Sequence, residues 1–518
     1  MLVVVHQNEN LTRVERHEGD IKTELIKYKS VALNKVLFEL ATEFPECKIA
    51  WCLEKVYESI DWVALSTLLH VPMQILSYNP SSTEIFEKVL YYSHFFSTTV
   101  NNIPKNVRFQ TWMMSEAIGL THAELLQKYS ELSGKFNFQM TLNAIAKLGS
   151  SKGVLHYSEP ALCHSRYTEL KQEDLFNTLC FIKNFQGRRW ALYASLLCLY
   201  KRKGSFLTLL KALLSKRRHF EIEDCSDLYD ELKLLDADED DTVDVLIPTL
   251  GRKECLKDVL DDLTHQTHLP DRVIIVEQHP DENAESGLDY IYNEKWPFEI
   301  KHYFIHQLGA CNARNIGLQE LQSKWMFAAD DDIRLEPNML KETLSFIKTI
   351  KVGAVSIATY LPTQSIQSLS STPYMFDSFA SGASLINQKY CRNITFDMAY
   401  EFGYGEDTAY GCELRKRGCE VVYYPKNPIL HLKAPMGGFR FKFEYPWSKD
   451  NIQPKPSPSI MYFNQEHMNE DQIFAYKVFL FFEQVVKYKK INLFSFSKAF
   501  KQQWERSVYW ANQKRKAV

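Results

Sequence analysis

Three consecutive aspartates, Asp330, Asp331 and Asp332, follow the apolar run 325–329, so three carboxylates stand together at the end of what reads as a buried strand. Self-repulsion raises the pKa values of such a cluster, and a hard divalent cation that takes oxygen ligands offsets the repulsion. Three aspartates alone also read as a solvated acidic loop, or as a cap before Pro337. A second acidic pair, Glu406 and Asp407, lies in FGYGEDTAYGCELRKRG, where Gly403 and Gly405 allow tight turns before a helical-looking segment. A carboxylate at a helix start is favoured by the helix dipole, so capping is the plain alternative there. His431 follows the strand-like VVYYP and the short run NPIL, a place where a single histidine reads first as a packed residue.

The elements around these residues are short aliphatic runs alternating with helical periodicity: VDVLIPT, 255–264, RVIIVEQ, 310–321 and KWMFAADDD. Strands alternating with helices of this length predict right-handed crossovers and a mostly parallel sheet covered on both faces, an α/β fold. Ligands in such sheets bind at the carboxyl ends of the strands. Pro248 and Thr249 end the first of these strands, Glu277 the second and 330–332 the next, so three strand ends converge on one candidate site.

In this order, the segments IPTLGR (247–252), VIIVEQ (273–278), GACNARNIGL (309–318), FAADDD (327–332), GEDTAYGCELRKRG (405–418) and PKNPILH (425–431) resemble glycosyltransferase family 2, whose enzymes have the GT-A fold. The resemblance covers about 200 residues, and the ordered set makes it specific. It implies that Asp330 and Asp332 are the Asp-x-Asp pair that holds Mn²⁺ or Mg²⁺ against the donor diphosphate, with His431 completing the metal shell. It implies further that Pro248, Thr249, Arg252 and Glu277 line the nucleoside pocket, that Arg314 and Asn315 belong to a segment closing over the nucleotide, and that Asp331 lies near the ribose. Asp407 would be the catalytic base and Glu406 its neighbour. The implied partners are a nucleotide-sugar donor, UDP-linked in the first instance, and a hydroxyl of a glycan or lipid-linked acceptor, the setting of polysaccharide assembly. A single base without a carboxylate nucleophile suits one inverting displacement. Two departures bear on the donor: Glu277 stands where aspartate is more usual, and the loop QHPDENAESG after it is long and acidic.

Competing classes fare less well. A nucleotidyltransferase would want a glycine-rich basic loop after the first strand, and LGRKE has one glycine. No GxGxxG follows a strand, which removes a dinucleotide dehydrogenase. A non-catalytic carbohydrate-binding or scaffold protein would have no need of Asp330, Asp332, Asp407 and His431 together.

At 518 residues the chain predicts two domains, and 45% hydrophobic residues with a formal net charge of −3 fit a globular protein rather than one that coats nucleic acid. The stretch 221–241 holds eleven acidic residues and one lysine and reads as a solvated connector whose centre could form a short helix. The expected division is therefore 1–220, a linker at 221–241, a catalytic domain at 242–443, and a proline-rich connector with a basic helical tail at 444–518. Within the first domain, 110–129 and 144–166 parallel 376–390 and 411–433, which predicts a worn copy of the same fold. Its counterpart of the metal strand, 48–62, offers Glu54 but no paired aspartates, and 135–142 holds no carboxylate, so this half is expected to be non-catalytic. Eleven cysteines without a CxxC pair fit a reducing cytoplasm, and the start MLVVVHQNEN reads as a first strand rather than an export signal. The apolar runs 190–200 and 478–486 are too short to cross a bilayer but have basic neighbours, Arg188, Arg189 and 201–203 for the first and Lys487, Lys489 and Lys490 for the second. Such segments pack as helices with solvated ends, or lie on an anionic membrane surface at the inner face.

Overall fold

The structure, a computed structural model, describes residues 1–517 apart from 8, 20, 29, 81–97, 99–100, 105, 165–174, 203, 435–442 and 488–492. The repeat's end at 165–166, the catalytic domain's expected edge at 441–442, and Lys203, Lys489 and Lys490 thus lie outside the described residues. The chain forms two compact units, Met1–Lys233 with Thr372–Met375, and Leu234–Ser371 with Phe376–Val518.

The first unit has strands β1 (Leu2–Gln7), β2 (Asn10–Glu18), β3 (Ile21–Glu24), β4 (Lys48–Leu53), β5 (Gln74–Tyr78), β6 (Phe109–Gln110), β7 (Ile118–His122) and β8 (Leu155–Ser158). Their order is β3-β2-β1-β4-β7-β5-β8-β6. Its helices are α1 (Leu33–Glu43), α2 (Trp62–Thr67), α3 (Ala123–Lys128), α4 (Phe138–Gly149), α5 (Leu175–Phe185), α6 (Arg188–Tyr200), α7 (Phe206–Leu214) and α8 (Ser226–Asp230).

The second unit opens with β9 (Val243–Leu250), α9 (Lys253–Thr264), β10 (Arg272–Gln278), α10 (Tyr290–Asn293), β11 (Glu299–Ile305), α11 (Ala310–Gln319) and β12 (Trp325–Ala329). It continues through β13 (Ile333–Arg334), α12 (Met339–Ile350) and β14 (Ala354–Tyr360); β15 (Tyr374–Phe376) follows where the two units divide. Then come β16 (Ala383–Asn387), α13 (Gln388–Cys391), α14 (Glu406–Lys416) and β17 (Val421–His431). The strand order is β11-β10-β9-β12-β16-β14-β17-β13. β11, β10, β9 and β12 run parallel, β16 is antiparallel to both of its neighbours, and β14 and β17 are again parallel. This is the mostly parallel α/β sheet expected. All seven residues of β10 are buried, which accounts for its unbroken apolar centre; a strand covered on both faces has no solvent side to alternate with. α9 covers the sheet with Leu256, Val259, Leu260 and Leu263, spaced i, i+3, i+4 and i+7.

Two expectations need revision. The acidic stretch 221–241 does hold the division between the units, at Lys233/Leu234, and the short helix α8, but it is packed at both ends rather than solvated throughout. Its first part packs into the first unit, where Cys225 N–H donates to Lys152 O at 2.8 Å and Tyr229 OH to Gly153 O at 2.8 Å. Its end belongs to the second unit: Asp241 is fully buried and receives Lys324 Nζ at 2.8 Å and Lys348 Nζ at 2.6 Å. Burial pushes Asp241 up, but the two lysines outweigh it and hold the carboxyl below its usual range. The tail is not an appendage either. α15 (Pro458–His467) begins inside the proline-rich stretch, and α16 (Glu470–Lys487) and α17 (Leu493–Ala517) follow. Met461, Tyr462, Phe500, Trp504 and Ala511 share one apolar cluster with Tyr400, Ala409 and Tyr410, so these helices back the loop that leads into α14.

The amino end of the sheet is pinned by a buried ion pair. Asp244 is fully buried on β9 and accepts Arg272 Nε and Nη2 from β10 at 3.0 and 2.8 Å, together with the Gln322 and Ser323 N–H groups and Ser323 Oγ just before β12. One carboxylate thereby ties the start of three strands. Removing it strands a guanidinium and two amides in the interior, so Asp244→Ala is expected to cost about 3–5 kcal/mol in equilibrium denaturation. A loss under about 1 kcal/mol would show that the network is not needed.

Candidate active site

β9, β10 and β12 end side by side. Thr249 is opposite Glu277, and the last β12–β9 pair is Ala328 with Leu246, so three residues further along each chain Asp331 comes level with Thr249. Thr249 Oγ1 donates to Asp331 Oδ2 at 2.7 Å and Arg252 Nη1, at the start of α9, to Asp331 Oδ1 at 2.5 Å. Burial pushes Asp331 up to about 6 against the pull of Arg252 and Thr249. Both of its oxygens are thus committed to protein groups.

Asp332 points the other way. The pairing of Ile333 with His431 brings β17 alongside; Leu432 N–H donates to Asp332 O and Ala434 N–H to Asp332 Oδ2, both at 2.8 Å. Asp332 Oδ1 is buried and makes no hydrogen bond, lying 3.3 Å from His431 Nε2 and 3.2 Å from Arg252 Nη1. Burial raises the Asp332 carboxyl, but His431, the Ala434 amide and Arg252 outweigh it and leave it below its usual range; His431 is raised in turn by Asp332.

Asp330, Asp332 and His431 each offer a ligand atom, and these atoms lie within 4.8 Å of one another. Two carboxylate oxygens and an imidazole nitrogen suit a divalent ion such as Mn²⁺. Asp332 Oδ1, buried without a hydrogen bond, is an atom such an ion would engage, so the residues present fit the metal.

Asp330 is the most open of the three and faces Arg314 Nη2 of α11 at 3.6 Å. Its amide donates to Gly382 O at 3.1 Å, and a Cβ at Gly382 would stand 2.1 Å from Asp330 Oδ2, so glycine alone leaves the carboxylate its place. Arg314 lies over the Phe396 ring at 5.4 Å, and its charge also acts on Asp407. Gly405, with φ of 110°, makes the turn that starts α14, and Asp407 sits in the first turn of that helix. Phe379 N–H donates to Asp407 O at 3.1 Å, and the side chain's Oδ1 is buried without a hydrogen bond. Burial pushes both Asp407 and Glu406 up; Arg314 opposes the rise at both, and each carboxylate also feels another carboxylate nearby.

The sequence-predicted residues thus fall into four groups. Thr249, Arg252, Asp330, Asp331, Asp332 and His431 form one connected cluster, with Pro248 beside Thr249 on β9. Arg314 links that cluster to Asp407 and Glu406. Glu277 sits next to Thr249 but is held by Ser286 Oγ at 2.6 Å and His302 Nε2 at 2.9 Å, an arrangement whose partners outweigh burial and keep its pKa low. Asn315 is engaged elsewhere: its amide bonds the backbone O and N of Phe396 at 2.8 and 2.7 Å. Sequence reasoning missed His302, Gly382 and Glu401. The last accepts the Cys311 and Asn312 N–H groups at 3.2 and 2.8 Å and so caps α11 from a distant loop, a contact with no local signature.

Residues 244–403 match Glycosyl transferase family 2. The second unit carries a family 2 glycosyltransferase domain. The matched span runs from β9 through the Asp330–Asp332 pair to the turn before α14, and this domain has the α/β sheet of the GT-A type. Among solved structures, S. aureus TarS 1–349 is similar at 15% identity and a TM-score of 0.31, covering 38% of this chain and 61% of that one. The same TarS segment in complex with UDP-GlcNAc is similar at 13% identity and 0.32, covering 51% and 71%. GalNAc-T7 with UDP, GalNAc and Mn²⁺ is similar at 12% identity and 0.37, covering 46% and 50%. The chain spans about three fifths of TarS 1–349. No curated protein matches it.

In the family 2 domain, Arg252 is the one cation within ion-pair distance of both Asp331 and Asp332 among the described residues. Arg252→Ala is expected to lower stability by about 3 kcal/mol without metal, because two buried carboxylates lose their counter-charge. Added Mn²⁺ should then raise the melting temperature of the variant more than that of the wild type. An equal rise in both would separate Arg252 from the metal cluster.

Proposed function

We propose that the protein transfers a sugar from a nucleoside-diphosphate donor, UDP-linked in the first instance, to a hydroxyl of a glycan or lipid-linked acceptor, with inversion. The observation that carries this reading is the metal-ligand set Asp330, Asp332 and His431, whose Asp332 Oδ1 is buried without a hydrogen bond, with Arg314 acting on both Asp330 and the buried carboxylate of Asp407. Asp330, Asp332 and His431 would hold the ion, which supplies Lewis-acid stabilisation of the leaving diphosphate. Arg314 adds a fixed positive charge beside Asp330, and Thr249, Arg252 and Glu277 present the polar edge of the nucleoside pocket.

Asp407 accepts the proton from the acceptor hydroxyl as its oxygen bonds to the anomeric carbon and the bond from that carbon to the diphosphate oxygen breaks. General-base assistance of this kind is worth about 10²–10⁴-fold. Burial raises the affinity of Asp407 for a proton, which strengthens it as a base but restricts the ionised form to higher pH.

The first unit is read as a non-catalytic copy of the same fold. In support, β1-β4-β7-β5-β8 and β9-β12-β16-β14-β17 have the same order and the same parallel and antiparallel pattern. Local hydrogen bonds recur as well: Ser115 N–H to Ser77 Oγ matches Ala380 N–H to Ser356 Oγ, and Val154 N–H to Gly149 O matches Cys419 N–H to Leu414 O. Where β12 runs into three aspartates, β4 runs into Glu54, which is bound by Arg13 at 2.6 Å. At the start of α4, the neutral Gln139 accepts the Glu116 N–H at 3.0 Å.

Turnover of UDP-, GDP- and dTDP-sugars, with and without Mn²⁺, tests the assignment. At least one donor should turn over only with metal; Asp332→Ala should abolish this metal-dependent turnover, and Asp407→Asn should lower kcat by about 10²-fold or more with the fold intact. Turnover indifferent to both substitutions contradicts the reading. The pH profile of kcat/KM should fall on the acid side through an apparent pKa above the ordinary aspartate value, since protonating Asp407 removes the base. An acid limb at or below that value would assign the proton transfer to another group.

A further inference from the structure

The segment 187–220 of the first unit has no part in the chemistry above and an unusual composition. It holds nine Lys or Arg residues, at 188–189, 201–203, 211 and 216–218, and no Asp or Glu, in a chain whose net charge is −3. α6 and α7 occupy most of it and pack against α5 and each other. α6 buries mainly small residues, Ala191, Ala194, Ser195 and Cys198, and exposes Leu192, Leu196 and Leu199. Their spacing of i, i+4 and i+7 puts these leucines on one stripe. α7 buries Leu209 and Ala212 and exposes Leu207, Leu210 and Leu214, spaced i, i+3 and i+7. Leu207 is 65% and Leu214 76% exposed. A helix that serves only its own core places polar residues on its outer face. Here the outer faces are leucine rows with cations at their ends.

We propose that the α6–α7 hairpin docks the protein onto an anionic bilayer surface, with the leucine stripes in the interface and the basic residues among the headgroups. The two helices, about 20 and 14 Å long, fall short of the roughly 30 Å hydrocarbon core, and no described helix is long and apolar enough to cross a membrane. Lying in the interface is the arrangement left to an apolar stripe rimmed by Lys and Arg. The charge selects this occupant over a second copy of the chain. Two such faces brought together would oppose cations to cations, since the segment contains no acidic residue to pair with them. Nucleic acid would answer the charge but leave the leucines in water.

Sedimentation of the full chain with vesicles of phosphatidylcholine alone, and of phosphatidylcholine mixed with phosphatidylglycerol, tests the proposal. The protein should sediment with the mixed vesicles and not with the neutral ones. Leu207→Glu/Leu214→Glu should lower the bound fraction about tenfold or more, because it places two charges in the apolar stripe. Leu207→Ile/Leu214→Ile should retain binding. Neither pair touches the core or the active site, so the melting temperature and donor turnover without vesicles should stay at wild-type values. Absence of binding to anionic vesicles, equal binding by the glutamate variant, or a wild-type dimer that this variant dissociates would each overturn the proposal.

Discussion

Asp331 and Asp332 are adjacent in sequence and nearly fully buried, with Asp330 beside them at the end of β12. Three carboxylates so placed would drive the strand end apart unless each met a different source of positive charge or hydrogen bonding. The second unit is arranged around that requirement. Asp331 is met by Thr249 and Arg252 from β9 and α9, Asp332 by β17 through His431 and the Ala434 amide, and Asp330 by Arg314 from α11. Each partner comes from a different crossover, so the cluster forms only when the sheet is complete. The Asp244–Arg272 pair at the opposite end of the strands sets the register on which this depends.

The same geometry separates carboxylates whose oxygens are all engaged from those that keep one oxygen without a hydrogen bond. Asp331 has both oxygens taken by protein donors, whereas Asp332 keeps one buried oxygen without a hydrogen bond. Asp407 likewise has one buried oxygen, Oδ1, without a hydrogen bond. Burying such acceptors costs stability, which makes these two oxygens the unmet groups of the cluster. Helices α15 to α17 contribute from behind, since the cluster containing Tyr400, Met461 and Trp504 holds the loop from which α14 starts.

Much of this was legible in the sequence because it depends on local order. Strand ends carrying Thr249, Glu277 and 330–332 follow from hydrophobic periodicity, and the turn at Gly405 from its neighbours. What escaped depends on contacts between distant segments. Glu401 caps α11 from ninety residues away, His302 reaches Glu277 from the next strand, and Gly382 makes room for Asp330. None of these has a local pattern, since a glycine in a loop and a glutamate near a turn read the same wherever they are used. The packed ends of the acidic stretch 221–241 escaped for the opposite reason. Its charge density suggested solvent, but Asp241 finds two lysines from α12 and the start of β12, and Tyr229 finds a backbone carbonyl. Charge patterning describes a segment on its own, and burial is decided by what arrives to pair with it.

The central claim is that Asp330, Asp332 and His431 hold one divalent ion, and counting bound Mn²⁺ tests it most directly. Electron paramagnetic resonance of free Mn²⁺ during titration into the full chain, with UDP present, should show one site that is lost in Asp332→Ala and in His431→Ala and retained in Glu277→Gln. Equal occupancy in the wild type and Asp332→Ala would contradict the account.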